Sequence, residues 1–137
     1  MAERESRLKK PSRRSREDQP AEPLAIVGIG VCAASLRSLL SLFSALGSDP
    51  GVSYVIAVRQ QDGLAVDMVV EALGKQTDLP VKAAAQGERI EPDRIYVGGG
   101  SELITLTDGH VAIRPAKEPA GHRGTVDSML ISLAEHA

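Results

Sequence analysis

The turn Gly28-Ile29-Gly30-Val31-Cys32-Ala33 carries the pattern most open to chemistry in this sequence. Its spacing fits G-x-G-x-x-G/A, whose glycines permit a tight strand-to-helix turn and close approach of the backbone to a pyrophosphate. NAD binding also calls for an acidic residue at the end of the next strand, about 20 positions on. Arg59 stands there instead, and its guanidinium would suit the 2′-phosphate of NADP. The structural alternative is that Gly28 and Gly30 only let a helix pack closely on the sheet.

Cys32 offers a second kind of chemistry, because it lies where this turn meets the following helix. A nucleophile at a helix N-terminus is favoured by the helix dipole and by backbone N–H groups that stabilise an oxyanion. Attack on an ester also needs a base within hydrogen-bond reach. The second strand leads into Arg59-Gln60-Gln61-Asp62, where there is no histidine, and neither Arg nor Gln accepts a proton at neutral pH. The residues alone therefore favour Cys32 as a small buried hydrophobe.

Other polar residues give weaker indications. Arg123 precedes the last helix and is available to an acidic partner, whereas Asp127 complements the N-terminal end of the helix dipole. The three histidines are too far apart in sequence for a local metal motif. The single cysteine excludes an internal disulfide and a Cys-based zinc site. We therefore predict no metal site and no cofactor from these residues.

Short apolar runs alternate with amphipathic segments along the chain, and these elements must position the residues above. The runs Leu24–Gly30 and Tyr54–Val58 predict strands buried on both faces of a parallel sheet. Segments Ser35–Leu46 and Leu64–Gln76 repeat apolar residues every three or four positions and predict helices. Two shorter strands are expected at Val81–Ala85 and Arg94–Val97.

The segment Thr107-Asp108-Gly109-His110 lies between two alternating apolar runs and predicts a hairpin with a type I′ turn. Thr125 is expected to cap a last helix that runs from Val126 to about Glu135. Three apolar residues of that helix are predicted to face inward: Met129, Leu130 and Leu133.

The order of these elements predicts an α/β fold, a doubly wound and mostly parallel Rossmann-like sheet with a β-hairpin excursion. Ligands of such sheets bind at the carboxyl ends of the strands. The informative loops are therefore those after Gly30, Val58 and Val97.

Residues 1–23 differ in composition from the rest of the chain. Residues 1–20 hold seven basic against four acidic residues, a net +3, while the whole chain has a net charge of −2. A disordered basic leader over residues 1–23 and one domain over residues 24–137 are predicted, and nucleic acid is not favoured as a partner. The sequence has neither an apolar run of about 18 residues nor the apolar segment of a secretory signal, so a cytoplasmic location is expected.

Several segments, taken in order, resemble the catalytic domain of the CheB family of chemoreceptor methylesterases. The family's G-x-S-x-G-G turn is matched by Gly30-Val31-Cys32-Ala33-Ala34-Ser35, and its hydrophobic-Pro-Val step by Leu79-Pro80-Val81. Further matches are the stretch Gly87–Val97 and the helix start His122-Arg123-Gly124-Thr125-Val126-Asp127. The resemblance covers about Leu24 to Ala137, the N-terminal part of the family domain, and implies its fold. The NADP interpretation explains only the first turn.

The resemblance also implies which chemistry is altered. Family members hydrolyse glutamate methyl esters on chemoreceptors with a Ser–His–Asp triad. Carried over, Cys32 takes the Ser position and Arg59 takes the His position (Gln60 if the loop aligns one residue later), whereas the family's Asp lies beyond residue 137. Loss of triad members removes most of the catalysis. The resemblance thus implies a degenerate, non-catalytic domain of two-component chemotaxis signalling that acts by binding.

The partner so implied is a chemoreceptor or another signalling protein, with Arg123 placed to contact an acidic receptor segment. Two alternatives stay open: a Cys-dependent esterase completed by another chain, and a small NADP-binding module. The family sheet continues past this C-terminal end, so we expect a truncated sheet with an uncovered edge. Self-association through that open edge is the resulting prediction.

Overall fold

The computed structural model describes residues 22–46, 50–59, 64–115 and 125–136. The predicted leader lies outside this part of the chain except for Glu22 and Pro23. The described strands are β1 (Ala25–Val31), β2 (Val52–Val58), β3 (Val81–Ala83), β4 (Ile95–Gly99), β5 (Glu102–Thr107) and β6 (His110–Pro115). A 3₁₀ turn (Ala33–Ser35) leads into α1 (Leu36–Ala45), and α2 (Val66–Gly74) and α3 (Thr125–His136) follow. Among these, we find no helix that is long and apolar enough to cross a membrane.

The main sheet is parallel, with the strand order β1-β2-β4-β3, and β5 and β6 form a separate antiparallel hairpin. Each face of the parallel sheet has its own apolar core. Helices α1 and α2 cover one face through buried residues such as Phe43 and Leu73. Helix α3 and the hairpin cover the other face through Met129 and Ile104. Helical layers on both faces define a doubly wound α/β fold, so the predicted fold class is confirmed.

The amphipathic periodicity predicted α1 and α2 correctly. Leu39 and Phe43 are buried on α1, and Val69 and Leu73 are buried on α2. The ring of Phe43 meets the ring of Tyr54 edge to face, with centroids 5.0 Å apart. The chain has three aromatic residues in all, so the rest of both cores is built from aliphatic side chains.

Strand β1 was predicted to be buried on both faces, and this prediction is wrong, because several of its residues are exposed. Among the described strands it lies at the edge of the parallel sheet, and Val27 is 39% exposed while Leu24, just before the strand, is 83% exposed. Strand β2, by contrast, is buried at every position from Ser53 to Val58, as predicted. Both strands are continuous apolar runs, and such a run carries no information on whether a neighbour lies on one side or on both.

The hairpin turns through two residues with positive φ, Asp108 at 51° and Gly109 at 78°. Thr107 pairs with His110 across this two-residue loop, so the type I′ turn is confirmed. The outer edge of β6 receives main-chain hydrogen bonds from the segment before β4, including Gly87 N–H to the Val111 carbonyl at 2.8 Å. On the other side, the Leu106 N–H donates to the Ser132 hydroxyl of α3 at 3.0 Å. The hairpin is thereby fixed to two neighbouring elements.

Helix α3 begins at Thr125, the residue predicted as its cap, so the helix starts one position earlier than predicted. Met129 is fully buried and Leu133 packs beside the core of this face. Leu130 was predicted to face inward, and this is wrong, because it is 45% exposed; the next residue, Ile131, is 41% exposed. The helix docks with a narrower apolar stripe than its sequence offers.

The connection from β3 to β4 joins two parallel strands without a helix. The hydroxyl of Tyr96, a residue only 1% exposed, accepts a hydrogen bond from the Glu91 N–H at 2.9 Å and donates to the Arg89 carbonyl at 3.4 Å. Asp93 has a φ of 63°, and its carboxylate accepts a 2.8 Å hydrogen bond from the Gly51 N–H. Polar contacts from the strands beneath thus hold this connection in place.

Candidate functional site

Three strands end at the same level on the carboxyl edge of the sheet. Val31 of β1 pairs with Val58 of β2, and Val58 pairs with Gly99 of β4. Main-chain hydrogen bonds join these strand ends. The Arg59 N–H donates to the Val31 carbonyl at 2.8 Å, and the Gly100 N–H donates to the Val58 carbonyl at 2.9 Å. The structure therefore brings together the loops that were predicted to be informative.

Cys32 is the last extended residue before the 3₁₀ turn, with φ −130° and ψ 176°. The Ser35 N–H donates to the Cys32 carbonyl at 3.0 Å, which closes the turn. The Cys32 N–H in turn donates to the Ser35 hydroxyl oxygen at 3.0 Å. Cys32 is half-buried, and its thiol is not part of a disulfide. The predicted position of Cys32 at the start of a helical segment is thus correct, although the first turn is 3₁₀ rather than α-helical.

The thiol of Cys32 lies 3.5 Å from the Ser35 hydroxyl oxygen. That hydroxyl also contacts the Cys32 carbonyl at 3.3 Å. Either group can be the donor in the contact between the thiol and the hydroxyl. A neutral hydroxyl does not act as a base toward a thiol, so Ser35 holds the turn rather than activating the cysteine.

Arg59 follows β2 directly and is exposed. It is the β2 counterpart of Cys32, because the residues before them, Val31 and Val58, are paired in the sheet. Its guanidinium is a permanent cation with five N–H donors and no acceptor. The edge thus presents a positive charge beside the cysteine turn. Gln60, the other residue considered for the base position, and Arg123, the predicted binding residue, lie outside the described residues.

Ser35 is the residue of this turn whose role the sequence interpretation missed. In the resemblance it only matched a glycine of the family turn, whereas its hydroxyl contacts the main chain and the thiol of Cys32. The spacing of three residues between Cys32 and Ser35 was the available signal, since reciprocal caps join residues at that spacing.

The close packing of α3 on β1 explains why two positions of this strand are glycine. A Cβ at Gly28 would lie 2.8 Å from the sulfur of Met129 and closer still to Leu133, and a Cβ at Gly30 would lie 2.6 Å from a methyl of Val126. Glycine is therefore required for close packing, as the structural alternative predicted, but against the last helix rather than the first. This packing accounts for both glycines without a bound dinucleotide.

Within the described residues, no cluster of three or more His, Cys, Asp or Glu side chains is arranged to hold a metal ion. A cavity of about 500 Å³ lies between the C-terminal ends of α1 and α2, lined by Phe43, Tyr54, Lys75 and Leu79 among others. It opens at the amino ends of the strands, away from Cys32 and Arg59. The candidate site is therefore a surface at the carboxyl edge and not this cavity.

Fold and site together define a class: a doubly wound α/β domain with a cysteine-bearing strand-to-helix turn at the carboxyl edge of its sheet. Residues 27–137 match the family model described as CheB methylesterase. Because this match covers most of the chain, the protein belongs to the CheB methylesterase family.

Characterised relatives carry the name protein-glutamate methylesterase/protein-glutamine glutaminase. Protein-glutamate methylesterase/protein-glutamine glutaminase 3 of Paramagnetospirillum magneticum is 28% identical to this chain over 113 residues. The alignment covers 82% of this chain and 32% of the relative. Relatives from Cupriavidus metallidurans, numbered 2, and Burkholderia lata, numbered 1, are 30% and 31% identical, and each alignment covers 81% of this chain and 33% of the relative. The chain thus spans about a third of the length of these relatives.

The crystal structure of the Thermotoga maritima CheB methylesterase catalytic domain superposes with a TM-score of 0.63 at 24% sequence identity. The match covers 84% of this chain and 61% of that domain. The shared architecture confirms the predicted fold on a structure of a family member, and the chain corresponds to part of a CheB-type domain.

Proposed function

We propose that this chain is a CheB-family domain that has lost ester hydrolysis and acts by binding a protein of a two-component chemotaxis pathway, such as a chemoreceptor. The family assignment supports the general role, because its characterised relatives are named protein-glutamate methylesterases. A cytoplasmic location is part of this proposal. The loss of chemistry and the binding role rest on the carboxyl edge of the sheet.

The observation that carries the proposal is Arg59. It follows the residue paired with Val31, beside the cysteine turn, where the resemblance puts the catalytic base. A guanidinium cannot take the proton of a thiol or hydroxyl at neutral pH. The hydroxyl of Ser35 is itself occupied by contacts within the turn. Neither group supplies the base that attack on an ester needs.

An arginine in place of the family's histidine suits recognition of a carboxylate. Arginine forms paired, charge-assisted hydrogen bonds with carboxylates, and Arg59 is exposed. By resemblance, Arg123 adds a second cation near the start of α3. A receptor segment with free glutamate side chains is the ligand that this charge pattern would recognise, whereas a methylated glutamate would offer no charge to it.

Hydrolysis and binding are tested separately. A receptor peptide carrying a glutamate methyl ester should release no methanol above the uncatalysed rate, and Cys32→Ala should behave like the natural chain. Methanol release that Cys32→Ala abolishes would overturn the loss of chemistry.

For binding, a receptor fragment with free glutamates is titrated against the natural chain and against Arg59→Ala. Loss of a charge-assisted pair should weaken binding by about tenfold. Lys75→Ala is the matched control, because it removes the same charge from the opposite end of the sheet. Equal losses in both variants would reduce the effect to net charge and contradict recognition at Arg59.

A Cys-dependent esterase completed by another chain is the second candidate. The half-buried Cys32 at the start of a helical segment, outside any disulfide, favours it. It predicts labelling of Cys32 by a thiol reagent at neutral pH, with protection by a methyl-ester analogue. Self-association through an edge of the sheet is the other interaction proposed.

A further inference from the structure

Gly100 lies next to Arg59 at the carboxyl edge of the sheet. Val58 of β2 is paired with Gly99 of β4, and the Gly100 N–H donates to the Val58 carbonyl at 2.9 Å. The residues that follow the two strands, Arg59 and Gly100, are therefore neighbours. One of them is a permanent cation, and the other has no side chain. The surface beside the cation is consequently bare main chain.

The space above Gly100 is open with respect to the described residues. Gly100 is partly exposed, and a Cβ on it would have one neighbour within 4 Å, a methyl group of Val66 at 4.0 Å. A Cβ on Gly98, two residues earlier, would instead lie 2.7 Å from a methyl group of Ile104. Close packing therefore explains the glycine at position 98, but it does not explain the glycine at position 100.

The main-chain conformation of Gly100 does not require a glycine either. Its φ of 69° lies in the left-handed region, which glycine adopts most readily and which Asn and Asp adopt more often than other residues. This chain itself places Asp93 and Asp108 in that region, with φ values of 63° and 51°. A short side chain at residue 100 is thus compatible with the backbone, and its absence leaves the surface beside Arg59 open to close approach.

The bare surface continues toward the start of α2. Val66, the first residue of this helix, is half-buried, and Ala65 before it is exposed. Both side chains are apolar, and Arg59 is the charged residue of this described surface. A ligand that lies here would meet one cation beside a strip of main chain and small apolar groups.

We infer that the main chain of the bound signalling protein passes directly over Gly100, in contact with Val66, while one of its free glutamate side chains pairs with Arg59. This inference rests on the proposed function and adds the surface on which the ligand lies. Charge complementarity identifies the occupant, because the exposed guanidinium of Arg59 offers paired donors to a carboxylate. A glutamate side chain is short, so the main chain that bears it must come close to the surface beside the cation. A residue without a side chain permits that approach.

The first test is a titration of a receptor fragment with free glutamates against the natural chain, Gly100→Asn and Gly109→Asn. Asn tolerates a left-handed φ, and a Cβ on Gly109, with a φ of 78° in the hairpin turn, also meets no atom within 4 Å. Gly100→Asn should raise the dissociation constant at least about tenfold, because the added side chain holds the ligand away from Arg59. Gly109→Asn, at the far end of the hairpin, should leave it within about twofold. Thermal unfolding shows that each variant is folded.

The second test needs no substitution at residue 100 and keeps the inference open to contradiction if Gly100→Asn fails to fold. The amide signals of the natural chain are followed by ¹⁵N-resolved NMR while the same receptor fragment is added. The signals of Gly100 and Val66 should shift as the fragment saturates the site, and the signal of Gly109 should not. The same addition to Arg59→Ala should give shifts only at higher fragment concentration.

The outcomes separate the inference from the proposed function. A natural chain that does not bind the fragment contradicts the proposed function and the inference with it. Binding that Arg59→Ala weakens, but that Gly100→Asn weakens no more than Gly109→Asn does, overturns the inference and leaves the proposed function standing. Saturation of the natural chain without any shift at Gly100 and Val66 has the same consequence.

Discussion

The hydroxyl of Ser35 determines how the cysteine turn is held. It accepts the Cys32 N–H and contacts both the carbonyl and the thiol of the same residue. The turn therefore depends on one side chain for its conformation, and the direction of the thiol depends on the same group.

Ser35→Ala tests this role. The variant leaves the partly buried Cys32 N–H without its acceptor, so the free energy of unfolding should fall by about 1 kcal/mol. Urea denaturation measures the change. Ser38→Ala, on the exposed side of α1, is the control and should change stability by less than about 0.5 kcal/mol. Equal effects in the two variants would show that the hydroxyl of Ser35 has no special role.

The sequence predicted the neighbourhood of Cys32 and Arg59, because strands of a parallel sheet end at a common edge whatever their side chains are. It did not predict the contacts of Ser35. Those depend on the 3₁₀ geometry of the turn, which brings a hydroxyl back over Cys32 and which has no signature in the apolar pattern.

The contact between α3 and β1 leaves no room for side chains on one face of the strand. Gly28 and Gly30 leave no Cβ between the strand and the side chains of Met129 and Val126. A helix can approach a strand this closely only where the strand lacks side chains on that face.

Gly28→Ala should destabilise the domain by about 1–3 kcal/mol, since the added methyl must displace side chains of α3. Gly74→Ala is the matched control, because no atom lies within 4 Å of its Cβ position at the end of α2. That change should be neutral or stabilising by up to about 1 kcal/mol. Thermal unfolding of both variants measures the contrast, and a Gly28→Ala variant as stable as the natural chain would show that α3 is not seated on β1.

The sequence predicted which segments form helices, strands and turns, but it did not predict which of these elements lie next to each other. Helix α1, helix α2 and the Asp108-Gly109 turn follow from local periodicity and local backbone preference. The edge position of β1 and the exposure of Leu130 depend on strand order and on the angle at which α3 docks. Both are set by contacts between distant parts of the chain, which a local pattern does not encode.

The stability of the whole molecule should depend on alkaline pH through Tyr96. Burial raises the pKa of this phenol above its ordinary value of 10.0, and the hydrogen bond from the Glu91 main chain opposes that shift. The unfolded chain therefore loses this proton at lower pH than the folded chain does. The stabilisation is fully present below about pH 10 and is lost as the pH rises through the raised value.

Tyr96→Phe should lower the free energy of unfolding by about 1 kcal/mol at pH 7, because the hydroxyl bridges Glu91 and Arg89. The difference between the two chains should shrink above pH 10. Denaturant titrations at pH 7 and at pH values above 10 measure it. A difference that stays constant across this range would contradict the role of the buried phenol.

Helix α3 lies on the first strand of the sheet, so Gly28 meets Leu133 across more than a hundred positions of the chain. Closing so long a loop is entropically costly, and local units such as the hairpin need no such closure. We therefore expect the hairpin and the unit of β1, α1 and β2 to form early and α3 to dock last. During synthesis, the glycine face of β1 stays uncovered until nearly all of the described chain has left the ribosome, which makes this face the natural site for a chaperone to protect.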